Sequence, residues 1–74
     1  MEPDQVEIKI GPQGDISRCD VWLQNQIVAK GAHVSTAFES ARAMLLIFEA
    51  QAYKVSKQED FPYGGKYWLL VKPN

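Results

Sequence analysis

One cysteine, one histidine and a few carboxylates are the side chains through which this 74-residue chain could do chemistry. A thiol becomes a nucleophile only with a base beside it, and no motif ties His33 or any Asp to Cys19. A zinc site needs several Cys, His or carboxylate donors at set spacings; Cys19 and His33 supply one thiol and one imidazole that match no such pattern. Glu7, Asp15 and Asp20 are the acidic residues of the strand-like region, and no spacing among them marks a paired-carboxylate or metal site. Gly11-Pro12-Gln13-Gly14-Asp15 carries the glycines of a phosphate loop, yet it fits no nucleotide-binding pattern and no helix follows it. It reads as a turn. The sequence therefore predicts no catalytic residue, no metal, no cofactor and no enzyme.

A second glycine-bearing stretch is more suggestive. Phe61-Pro62-Tyr63-Gly64-Gly65-Lys66 joins two aromatic rings, a cation and two adjacent glycines. It reads as a loop. Either its rings fold back to cap the core, or Tyr63 and Lys66 belong to a binding loop whose backbone can approach a ligand.

These side chains must be positioned by the elements around them. Residues 35 to about 55 lie within the longest run without Gly or Pro and read as one amphipathic helix. Ser35 and Thr36 are N-cap types, Glu39 completes a capping box with Thr36, and the interior is rich in strong helix formers. At roughly 100° per residue, Phe38, Ala41, Met44, Leu45, Phe48, Ala52 and Val55 share one face. Leu46 and Ile47 point away from it, beside Ala43 and Ala50. They are expected under a loop from residues 56–65, in a second contact surface, or simply exposed, as scattered surface apolar residues are.

Alternation of apolar and polar residues predicts strands over residues 6–10, 17–23, 27–32 and 67–72. A three-residue connection at Gln24-Asn25-Gln26 sets Leu23 opposite Ile27, Val21 opposite Ala29 and Asp20 opposite Lys30, the last a favourable charge pair. A one-residue slip would reverse every facing. In this register Cys19, Val21 and Leu23 face the helix, while Trp22 and Val28 share the outer face. The last strand is apolar on both sides, with Trp68 and Leu70 on one and Tyr67, Leu69 and Val71 on the other. The expected architecture is a single α+β domain over residues 5–72 behind a loose tail at 1–4. It is a βββαβ chain with an antiparallel sheet, one long helix on one face, and the last strand beside the first.

Function can then be argued only from surplus. A chain this short has a small core, and its single cysteine allows no internal disulfide. Yet it holds more large apolar groups than one helix-on-sheet core shelters. Trp22, Val28, Leu46, Ile47, Trp68 and Leu70, with Tyr63 and Lys66 of the loop, are the expected partner-binding residues. Tryptophans beside aliphatic groups have the character of interface anchors. The expected function is a non-catalytic protein-interaction module that self-associates as a homodimer or binds another protein. Its size and acidity suit a phage- or mobile-element-encoded protein acting on a host factor. The alternative is a nucleic-acid-binding module stacking bases on Trp22, Trp68 and Tyr63 beside Lys9, Arg18, Lys30 and Lys66. A net charge of -1 and a pI near 5.7 count against that alternative and against anionic membranes. No segment is long enough to span a membrane, the first ten residues lack a signal-peptide pattern, and an unpaired thiol suits a reducing compartment. The expectation is a soluble, cytoplasmic protein.

Overall fold

A computed structural model describes residues 4–13, 15–62 and 64–73, without the side chains of residues 13, 15 and 16. Six elements run in the order β1 (Gln5–Gln13), β2 (Asp15–Leu23), β3 (Gln26–His33), α1 (Val34–Ala50), β4 (Lys54–Asp60) and β5 (Lys66–Val71). The sheet order is β3-β2-β1-β5-β4, antiparallel throughout. The α+β class, the single helix after three strands and the last strand beside the first are as the sequence predicts. One strand is added: β4 occupies residues read as a polar exit, and it forms the outer edge beside β5.

The core is the face of the sheet that meets α1. Val6, Ile8 and Ile10 of β1 are 1% exposed or less. Ile8 lies between Leu23 on one side and Trp68 on the other, and Val6 lies opposite Leu70. Cross-strand partners share a face, so Trp68 and Leu70 point into the core, where they are 7% and 0% exposed. The alternation of β5 leaves its facing open, and the two residues, expected among the partner-binding set, are core residues instead. The cause is β1: its alternation fixes which side of β5 meets the helix, and Tyr67, Leu69 and Val71 are left on the other side. Cys19 and Val21 are buried under α1 as expected. On the helix Ala37 and Ala41 are the fully buried positions, small enough to let the axis sit close to the sheet. Phe38, Met44, Leu45 and Phe48 pack around them.

Both ends of the helix differ from expectation. The cap is His33, whose Nδ1 accepts from the backbone N–H of Ser35 at 3.4 Å. The capping box at Thr36 is therefore displaced by a residue that does the same work one turn earlier. At the other end the chain leaves the helix at Ala50 instead of continuing to Val55. Ala52 donates its N–H to Glu49 O, and Tyr53 donates to Phe48 O, a pairing that closes a helix with a left-handed residue. That residue is Ala52, at φ 76°. Tyr53 then packs edge-on against Phe48, ring centroids 5.5 Å apart, which clamps the exit.

The β2–β3 register also needs correction. The connection has two residues, Gln24 and Asn25, both at positive φ, so Leu23 lies opposite Gln26 and Trp22 opposite Ile27. Val21 nevertheless faces Ala29, because Val28 is an extra residue without an opposite number. Trp22 and Val28 are therefore not a cross-strand pair. A second irregularity falls at Gly31, φ 63°. There Asp20 does not pair with Lys30; its Oδ1 accepts the N–H of Gly31 at 2.8 Å. Gln24 compensates β1 where β2 turns away: its side-chain amide donates to Gln5 O at 2.9 Å and accepts from Glu7 N–H at 3.0 Å. At the chain's start, Asp4 O accepts from the Lys72 N–H at 2.9 Å.

Two variants test this arrangement by thermal unfolding. Trp68→Ala should cost about 3–5 kcal/mol, the loss expected for a large aromatic side chain removed from a core. Ala52→Gly should raise stability by up to about 1 kcal/mol, since glycine occupies the left-handed region without steric cost. An unchanged melting temperature for Trp68→Ala would place that ring outside the core. A lowered one for Ala52→Gly would refute the left-handed helix closure.

Candidate functional site

The face of the sheet opposite α1 has no layer over it among the described residues. One row of cross-strand neighbours crosses it as Ile27, Trp22, Lys9, Tyr67 and Glu59; the next carries Glu7, Leu69 and Lys57; a third carries Gln5, Val71 and Lys54. Apolar bodies and charged tips thus alternate. Trp22, Tyr67, Leu69 and Val71 are half-buried, and Ile27 is 47% exposed. The Tyr67 hydroxyl donates to Glu7 Oε2 at 2.8 Å. Burial raises its phenol pKa above the usual value, and the hydrogen bond and charge of Glu7 add to that shift. Lys57 pairs with Glu59 at 3.2 Å, with both side chains about half exposed.

At one end of this face lies a groove of about 380 Å³. Two glycines make it. A Cβ at Gly11 would stand 3.2 Å from the Trp22 ring, and one at Gly65 would stand 2.8 Å from Ile10 O and 3.0 Å from the Phe61 ring. Their missing side chains let the indole reach over β1 and let the β4–β5 hairpin close against it. Trp22 and Phe61 line the groove with Pro12 and Lys9, and the Lys9 amine sits 5.1 Å from the centre of the Trp22 ring. The hairpin is held by Phe61 N–H to Gly65 O at 2.8 Å and Gly64 N–H to Phe61 O at 3.1 Å. Within the 61–66 stretch, Phe61 is half-buried and also walls the groove.

The remaining expected site residues do not gather here. Lys66 faces the helix side, 3.5 Å from Asp60 and 5.7 Å from the centre of the Phe38 ring. Tyr63 lies outside the described residues. Val28 is 52% exposed in the β3 bulge. Leu46 and Ile47 are 62% and 56% exposed on the back of α1; no loop of the described residues folds over them, because residues 56–60 belong to β4 at the far edge of the sheet. Trp68 and Leu70 are in the core, although the Trp68 ring reaches a second groove of about 290 Å³ beside Phe38, Arg42 and Leu45. Sequence reasoning missed Lys9, Gly11, Phe61 and Gly65 as a set. The signal available was two glycine-bearing turns whose strands, once paired, meet at one end of the sheet.

Cys19 is 2% exposed. Burial raises its thiol pKa above the usual value and Asp20 adds to the shift, so at neutral pH it is a protonated core residue. Among the described residues no group of three or more His, Cys, Asp or Glu is placed to hold a metal, and no helix is long and apolar enough to cross a membrane. No protein-family model matches the chain, and no curated protein or solved structure is significantly similar to it.

The glycine floor can be tested directly. Gly65→Ala should destabilise the fold by about 1–3 kcal/mol, as overpacking does, and should displace the Phe61 and Ile10 amide resonances. A variant as stable as the parent, with those resonances unmoved, would show that β1 and the β4–β5 hairpin are not in close contact there.

Proposed function

We propose that the chain is a non-catalytic, cytoplasmic protein-interaction module whose partner surface is the open face of its sheet. The observation that carries this reading is the set of half-buried apolar groups, Trp22, Tyr67, Leu69 and Val71, on a face that no helix covers among the described residues. Tryptophan and tyrosine are enriched among interface anchors, and the charged side chains around them have the character of a rim. A standard interface buries about 800 Å² per partner, roughly a sixth of this chain's 5028 Å² surface.

Partners that extend the sheet are disfavoured. The outer edge strand β4 has every residue exposed, reads Lys-Val-Ser-Lys-Gln-Glu-Asp, and is irregular between Val55 and Lys57. Charge and bulges on an edge discourage pairing. The other edge, β3, carries two irregularities of its own. Association is therefore face to face, and a second copy of the chain is the first partner to test. A nucleic-acid platform has less support. Lys66 faces the other side of the sheet, and Arg18 Nη1 is bonded to Gly31 O at 3.3 Å. Glu7 and Glu59 sit on the open face itself, so the cations do not line up for a phosphate chain.

Sedimentation equilibrium over a concentration series tests the reading. The parent chain should dimerise, Leu69→Lys should be monomeric, and Ile47→Lys, on the helix back, should dimerise as the parent does. Loss of association in Ile47→Lys alone would move the interface to the helix. A monomer at every concentration would remove self-association.

A further inference from the structure

We propose that the groove between Trp22 and Phe61 binds a short, extended peptide segment that carries proline and an acidic residue. This deepens the reading of the open face as a protein-binding surface and rests on it.

The groove's chemistry has three parts. Its walls are two aromatic rings, with Pro12 at the rim and the backbones of Gly11 and Gly65 as floor. Such walls fit a pyrrolidine ring, and a proline-bearing segment is already extended before it binds, so little chain entropy is lost. Second, the Trp22 indole N–H has no hydrogen-bond partner among the described residues. A peptide without secondary structure presents free carbonyl acceptors at each residue that such a donor can use. Third, Lys9 is exposed and, among the described residues, has no carboxylate within ion-pair reach, since the pairs formed are Lys57–Glu59 and Lys66–Asp60. Its amine is held above the Trp22 ring, 5.1 Å from the centre. It therefore offers one positive charge at the lip of an apolar groove.

That single charge decides the class of ligand. A peptide carboxylate beside a proline needs one cation. A nucleic-acid strand needs a succession of them, and the next groups along the row from Lys9 are Tyr67 and Glu59, with Glu7 two residues away on the same strand. A volume of about 380 Å³ lies in the range of ligand-holding clefts and is enough for a few residues, not a folded partner.

The test is a titration of the isotopically labelled full chain, followed by backbone amide and indole resonances. Three probes are used: a short peptide alternating proline with glutamate, the same peptide with lysine for glutamate, and a short oligothymidylate. The acidic peptide should give saturable shifts at Gly11, Gly65 and the Trp22 indole, and the basic peptide should bind about tenfold more weakly or not at all. Lys9→Glu should reverse that preference. Lys9 is exposed, so the variant should keep the parent's dispersed spectrum, and Lys9→Gln, which removes the charge without inverting it, should abolish the preference. Equal binding of the two peptides, shifts confined to other residues, or an unchanged preference in Lys9→Glu overturns the proposal. Saturable binding of oligothymidylate alone overturns it in favour of nucleic acid. If neither peptide binds while Leu69→Lys still abolishes dimerisation, the groove proposal falls and the interaction-module reading stands.

Discussion

A single helix, about 10 Å across with its side chains, is laid on five strands spaced about 4.8 Å apart. This mismatch of widths governs the molecule. α1 rests on β1, β2 and β3, and its buried contact points are alanines, so it sits close to a narrow strip of sheet. Everything the helix does not reach must be managed otherwise. The β5 side keeps a groove beside Trp68, β4 is exposed along its length, and no described residue forms a layer over the opposite face of the sheet. Burying a large apolar side chain contributes roughly 1.5–3 kcal/mol, so the half-buried Trp22, Tyr67, Leu69 and Val71 hold stabilisation that the isolated chain does not fully use.

The strand order follows from the same constraint. β1 is the strand whose alternate residues are most completely buried, Val6, Ile8 and Ile10. It occupies the middle position, with β2 on one side and β5 on the other. A central strand must be apolar on its covered face and can be mixed on its uncovered one, and Glu7 and Lys9 are the residues that alternate with the isoleucines. The edges carry what a centre could not: the run of charges in β4, and the bulged, glycine-containing β3. Pairing β1 with β5 makes the central contacts of the sheet long-range in sequence, while those of the β1–β2–β3 meander and the β4–β5 hairpin are local.

How much of this was legible in the residues differs by element. β1, the helix core and the final strand are periodic and apolar, and they stand where their patterns predict. The helix exit is not legible. A left-handed closing residue is ordinarily glycine, and here it is Ala52, recognisable only through the Tyr53–Phe48 contact that stabilises it. β4 has no apolar alternation because both its faces meet solvent, so its sequence resembles a loop. The β2–β3 register could not be read because two irregularities in β3 offset a shorter turn; the pairing of Val21 with Ala29 survives, while that of Asp20 with Lys30 does not. The facing of Trp68 turned on which side of β5 met β1, a long-range choice that local alternation leaves open when both sides are apolar.

The same logic explains why the groove escapes a linear reading. Gly11 and Gly65 are fifty-four residues apart in sequence, and each alone signals only a turn. Their role is steric and mutual: Gly65 lies against the β1 backbone because it has no Cβ to meet Ile10 O, and a Cβ at Gly11 would crowd the Trp22 ring. Lys9, in turn, is an ordinary strand lysine until the indole is placed beneath its amine. A binding surface assembled in this way has no motif, because none of its members is chemically unusual. It consists of omissions, two missing side chains and, among the described residues, one missing counter-charge, and such omissions become visible only when the strands that carry them are brought side by side.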